Sequence, residues 1–233
     1  MGATEPTRMR AWDLPTRLFH WSLALCICAA CLSAHRGGAA ALRLHFLSGY
    51  AVLALVGFRL LWGFAGTRPA RFASFVRGPG ATLRYARSLL SGAAAPRPEG
   101  GGHNPLGAWS ILALLAVCLL QAASGLFARD DIASEGPLAQ LASEALVDRA
   151  GAWHARCEPL LYALLSLHLA AIAFHAIFRR ENLVGPMITG TRSRPAASPA
   201  TRAEPDAQPS SGAALVLLAL SAALVAYLAD LAP

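Results

Sequence analysis

Lysine is absent from this 233-residue sequence; all 20 basic residues are arginine. Genomic base composition produces such a bias, so it carries no functional reading. Charge of either sign is also scarce, at 14% against 55% hydrophobic residues. A soluble domain carries about a quarter charged residues, so the shortfall argues against a packed soluble core and for a surface that faces lipid. No basic stripe is interleaved with aromatics, which argues against a nucleic-acid partner. Cysteine is limited to Cys26, Cys28, Cys31, Cys118 and Cys157. Most lie in apolar runs, where a thiol behaves as a small buried hydrophobe. Cys28 and Cys31 form a C-x-x-C, but Leu32 follows where the pattern for covalent heme attachment needs histidine.

Long apolar runs are what the sequence does have. A helix needs about 20 mostly apolar residues to cross a bilayer. Four segments meet this: Leu18 to about Ala34, Leu44 to Gly66 with Arg59 as its one charge, Asn104 to Ala128, and about Trp153 to Phe178. A shorter fifth run spans Gly212 to Ala229. The first segment has the basic front of a signal peptide but no small-residue cleavage site, and further spans follow, so it reads as a retained helix. The chain divides into a four-helix membrane domain over 10–190, a Pro/Ala/Ser/Arg-rich linker over 191–211, and an additional transmembrane helix over 212–229.

Arginine placement predicts the orientation. Arg8, Arg10 and Arg17 precede the first helix. Arg68, Arg71, Arg77, Arg84, Arg87 and Arg97 lie between the second and third. Arg179, Arg180, Arg192, Arg194 and Arg202 follow the fourth. The opposite side holds Arg36, Arg43, Arg129, Arg149 and Arg156, so the balance is fourteen against five. Arginine-rich connections stay in the cytoplasm, which places the amino terminus inside a bacterial inner membrane. The third-to-fourth connection, on the outer side, carries Asp130, Asp131, Glu135, Glu144, Asp148 and Glu158. These form either a docking face for a basic periplasmic partner or a plain solvated loop.

Histidines inside apolar runs are functional candidates, because an ionisable group is costly in lipid. On this topology His20 lies near the inner end of the first helix and His45 near the outer start of the second. His154 and His168 are separated by 14 residues on the fourth, about 21 Å of helix rise, and fall within about 40° of one face. Depth therefore pairs His20 with His168 and His45 with His154. Two imidazoles from facing helices can clamp one heme iron, and two such pairs predict two b-type hemes held by ligation and packing. His175 is a rival for the inner pair. His35, beside Arg36, reads as solvated. Asn104 and Pro105 cap and open the third helix, and His103 before them is a candidate for a quinone headgroup or a heme propionate. Arg59 either snorkels to the interface or pairs with a propionate; Arg17 and Arg43 are candidates for the same task. Gly49, one turn past His45, leaves room for a flat macrocycle or serves ordinary helix packing.

The sequence also resembles a known family. The stretches Trp-Asp-Leu-Pro-Thr-Arg-Leu-Phe-His-Trp (12–21), His-Phe-Leu-Ser-Gly-Tyr (45–50), Phe-Arg-Leu-Leu-Trp-Gly-Phe-Ala-Gly (58–66), Gly-His-Asn-Pro-Leu-Gly (102–107), Gly-Leu-Phe-Ala-Arg-Asp-Asp-Ile (125–132) and Arg-Glu-Asn-Leu-Val-Gly-Pro-Met-Ile-Thr-Gly (180–190) are similar to the bacterial cytochrome b561 family, which includes the b-type cytochrome subunits of nickel–iron hydrogenases. The resemblance implies a four-helix core with two b hemes, axial histidines at His20, His45, His154 and His168, and electron exchange with the quinone pool or a partner redox protein. Pro159 and the fifth helix depart from the pattern. Pro159 leaves two starts for the fourth helix, near Trp153 or near Glu158.

The sequence thus predicts an all-α transmembrane bundle that binds heme and carries a fifth membrane helix. The expected function is electron transport between quinone and a redox partner, such as a periplasmic cytochrome c. The alternative is a membrane anchor and electron relay for a separate oxidoreductase such as a hydrogenase. No nucleophile or acid–base constellation is visible, so enzymatic activity depends on whether the chain turns over quinone itself. Membrane lipid and a homodimer partner complete the expected contacts.

Overall fold

The computed structural model describes residues 7–91, 104–129, 135–194 and 210–231. Strand β1 (Thr7–Arg10) leads into helix α1 (Leu14–Ala34). Asp13 caps α1: its Oδ1 accepts the Thr16 N–H at 2.7 Å, and Pro15 occupies the first turn, an arrangement that satisfies orphan donors at a helix start. His35 closes α1, and Gly38, at φ +99°, opens α2 (Ala39–Ala65). That backbone angle strains any residue with a Cβ.

At the other end of α2 the chain makes a short 3-10 turn (Arg68–Ala70), helix α3 (Phe72–Phe75) and helix α4 (Pro79–Leu90). Helix α5 (Pro105–Gly125) opens as its sequence predicts, with Asn104 Oδ1 accepting the Gly107 N–H at 2.7 Å. A 3-10 turn (Ala139–Leu141) precedes α6 (Glu144–Ile177). Helix α7 (Val184–Thr189) and strand β2 (Thr191–Arg194) follow, and α8 (Ser211–Asp230) comes last.

Five helices, α1, α2, α5, α6 and α8, are long and apolar enough to cross a membrane. The close backbone packing is α1 on α2, α5 on α6, α2 on α5, and α8 on α2; α1 and α6 are not among the closely packed pairs. One apolar cluster joins Val52, Val56, Phe58 and Trp62 of α2 to Phe19 and Ile27 of α1, Leu115 and Cys118 of α5, Cys157 and Leu161 of α6, and Ala214 of α8. Large side chains such as Leu25, Leu167 and Leu220 face outward, as a lipid solvent requires.

Two features differ from the sequence reading. Helix α6 starts at Glu144, nine residues before Trp153, and runs straight through Pro159. Its 34 residues extend about 51 Å, against an apolar slab of about 30 Å, so one end projects from the membrane. Hydropathy marks where a helix enters lipid and is blind to the polar turns before it. The second difference is the antiparallel pairing of β1 with β2, in the register Thr7↔Arg194, Arg8↔Ser193, Met9↔Arg192 and Arg10↔Thr191. The first four residues of the expected linker are therefore strand.

Candidate functional site

His154 and His168 of α6 meet histidines of α2 and α1 although α6 packs closely by backbone on neither helix. These four histidines line the seam between them. The His45 and His154 rings lie with centroids 6.1 Å apart and planes at 84°. Each is fixed by a backbone carbonyl on a neighbouring helix: His45 Nδ1 is 3.0 Å from Ala30 O of α1, and His154 Nδ1 is 2.9 Å from Gln121 O of α5. A carbonyl only accepts, so both rings carry their hydrogen on Nδ1 and keep Nε2 as the lone-pair nitrogen, which on His154 faces the Gln121 amide. That is the arrangement of a metal-binding imidazole held by an outer partner.

Around His154 the packing is specific. A Cβ placed on Gly125 would meet His154 Cε1 at 2.9 Å, so only glycine leaves space for the ring. Ser124 Oγ lies 3.4 Å from His154 Nδ1, and the Gln121 amide nitrogen lies 3.4 Å from His154 Nε2. Gln121 Oε1 is buried without a hydrogen-bond partner. Beside His45, one turn along α2, Gly49 faces open space: nothing lies within 4 Å of a Cβ built there.

The second pair sits nearer the other end. His20 of α1 and His168 of α6 are both half-buried and close enough to interact electrostatically. His20 Nδ1 is buried and makes no hydrogen bond. Its ring edge contacts Trp21, whose Nε1 donates to Met187 O of α7 at 3.3 Å. His175 is engaged elsewhere: 7% exposed, it places Nδ1 2.9 Å from Glu181 Oε2. Tyr85 of α4 belongs to this corner, outside the spans; burial pushes its phenol up, Glu181 adds to the effect and Arg179 opposes it.

The arginines divide by partner. Arg17 Nη2 donates to Ile188 O of α7, and its Nε is buried without a partner. Arg43 is exposed near the His45 end of α2. Arg59 is 3% exposed; its Nη2 donates to Ala70 O at 3.1 Å, its guanidinium lies over the Phe72 ring at 4.7 Å, and its Nη1 has no partner. Asp13 completes this corner, accepting from Trp62 Nε1 at 3.1 Å and from Thr67 Oγ1. His103, Asp130 and Asp131 lie outside the described residues. Of the remaining acidic residues near α6, Glu135 and Glu144 both pair with Arg129, at 2.7 and 3.2 Å.

Sequence reasoning missed Gln121, Ser124 and Asp13. Gln121 left one signal, an amide in the middle of an apolar helix; the backbone carbonyls of Ala30 and Gln121 left none.

These residues fit a flat, iron-bearing macrocycle. A metal ion bonded at about 2 Å to each of two imidazole nitrogens has room between rings spaced as His45 and His154 are. Gly49 leaves open space one turn from His45, and the unpartnered His20 nitrogen belongs to the ring that interacts with His168. No curated protein matches the chain. A family model described as prokaryotic cytochrome b561 matches residues 11–190. The chain therefore belongs to the prokaryotic cytochrome b561 family, and it is a multi-pass bacterial membrane cytochrome of b type that works in electron transfer.

Proposed function

We propose that the chain holds two b hemes stacked across the inner membrane and passes electrons between the quinone pool and a redox partner. His45 and His154 ligate the outer heme, and His20 and His168 the inner one. The observation that carries this reading is the His45–His154 pair, 6.1 Å apart with both Nδ1 atoms tied to carbonyls. Heme b, when bound, supplies a one-electron couple at its iron.

The protein's own residues do the rest. Ala30 and Gln121 carbonyls fix the tautomer and strengthen the donor nitrogen of each outer ligand. Gly125 and Gly49 leave the volume. Arg17, Arg43, Arg59 and His103 are the groups proposed to neutralise propionates, since a carboxylate in low dielectric needs a charge-assisted partner. Two imidazoles at each site leave no open coordination position, which favours outer-sphere electron exchange over bond-making chemistry. The fourteen-to-five arginine balance supports an orientation with the His45–His154 end outside.

Adding a water-soluble quinol to the purified, heme-loaded protein tests the quinone partner. The account predicts reduction of heme b, seen in its visible bands. Heme that dithionite reduces but quinol does not would contradict it.

A further inference from the structure

Three titratable side chains meet at the end of the bundle that holds His45 and His154. His35 caps α1, and its side chain is 67% exposed. Its Nε2 lies 3.1 Å from Glu158 Oε1 of α6. The Tyr162 hydroxyl donates to the same Glu158 oxygen at 2.9 Å and lies 3.2 Å from His35 Nε2. Cys31, one turn earlier on α1, lies close enough to Tyr162 and Glu158 to interact with both. Glu158 stands one helical turn from His154, and its charge acts on that ring. Of the other charged groups at this end, Arg36 and Arg43 make no ion pair with Glu158 among the described residues; from α5 the side chains of Gln121 and Ser124, both neutral, face His154.

We propose that His35 and Glu158 form a proton-exchange site linked to the oxidation state of the heme between His45 and His154. The inference rests on the two-heme reading. An electron added in a partly buried site is screened less than in water, so it raises the proton affinity of nearby groups. By reciprocity, a proton bound there raises the electron affinity of the iron. An imidazole nitrogen can take up and release a proton, and His35 is the member of the cluster open to water.

The step balances as follows. One electron from a one-electron donor converts ferric to ferrous iron. One proton from the aqueous phase forms an N–H bond on the His35 imidazole, beside the Glu158 carboxylate. Oxidation of the iron releases both. Tyr162 holds the carboxylate in place and gains or loses no proton.

The test is a spectroelectrochemical titration of the purified holoprotein at several pH values. The wild type is expected to show one heme component whose midpoint potential falls as pH rises, because reduction takes up a proton. Glu158→Gln and His35→Gln should each flatten that dependence, with heme content unchanged and the other component unaffected. His35 is exposed, so its substitution leaves the fold intact should the Glu158 variant fail to assemble. A wild-type potential independent of pH, or a slope that survives both substitutions, overturns the proposal. A wild type that carries no heme defeats the two-heme reading itself, and the proposal with it.

Discussion

Asp13 shows how much one side chain can organise. It is 4% exposed, caps α1 through Oδ1, and accepts from Trp62 and Thr67 through Oδ2. Arg59 sits over Phe72 in the same corner and feels the Asp13 charge. Asp13→Ala would leave an indole N–H and a hydroxyl short of an acceptor and remove the carboxylate charge near the buried Arg59 guanidinium. We predict a loss of about 3 kcal/mol, read as a lower unfolding midpoint in detergent, with Asp13→Asn intermediate. At this scale the sequence shows which histidines are candidates, because an ionisable residue in an apolar run stands out. It does not show what orients them. The acceptors for His45 and His154 are main-chain carbonyls, identical at every position of a helix. The Arg59 partners, Ala70 O and Phe72, depend on how the chain turns after α2, and no local pattern encodes that turn.

Elements divide in the same way. The five spans are legible because lipid demands long apolar runs, and each observed helix contains or closely matches its predicted segment. Ends are not legible where helix and membrane boundaries part. Glu144 to Ala152 is helical but polar enough to lie outside the slab. Pro159 removes a single donor, that to the Ala155 carbonyl, and neighbouring turns carry α6 past it. Helix α8 reads in sequence as a tethered segment without chemistry. In the structure it packs on α2, with Ser221 Oγ 3.1 Å from where a Gly57 Cβ would stand. It brings no histidine to the seam. A chain truncated before Ser210 should therefore keep its full heme content and unfold at a lower temperature. Heme loss on truncation, measured by absorbance per protein, would show that α8 supports the site and is more than packing.

Over the whole molecule, the helix pairs α1–α2 and α5–α6 meet through α2 and α5 and leave α6 facing a seam lined by four histidines. The small sheet of β1 and β2, together with α7, ties the start of α1 to the segment after α6 through Arg17 and Trp21. That end gathers most of the arginines, and the other holds His35, Glu158 and the His45–His154 pair. That His154 and His168 lie at two depths on one face of α6 was legible because 14 residues on one helix fix both a distance and a face. The breadth of the seam was not, since it follows from which helices fail to pack closely. The most direct measurement is a pyridine hemochrome assay, scaled to protein, on the wild type, His154→Leu and His168→Leu. The account predicts two hemes b per chain in the wild type and one in each variant. One heme or none in the wild type, or unchanged content in the variants, would contradict it.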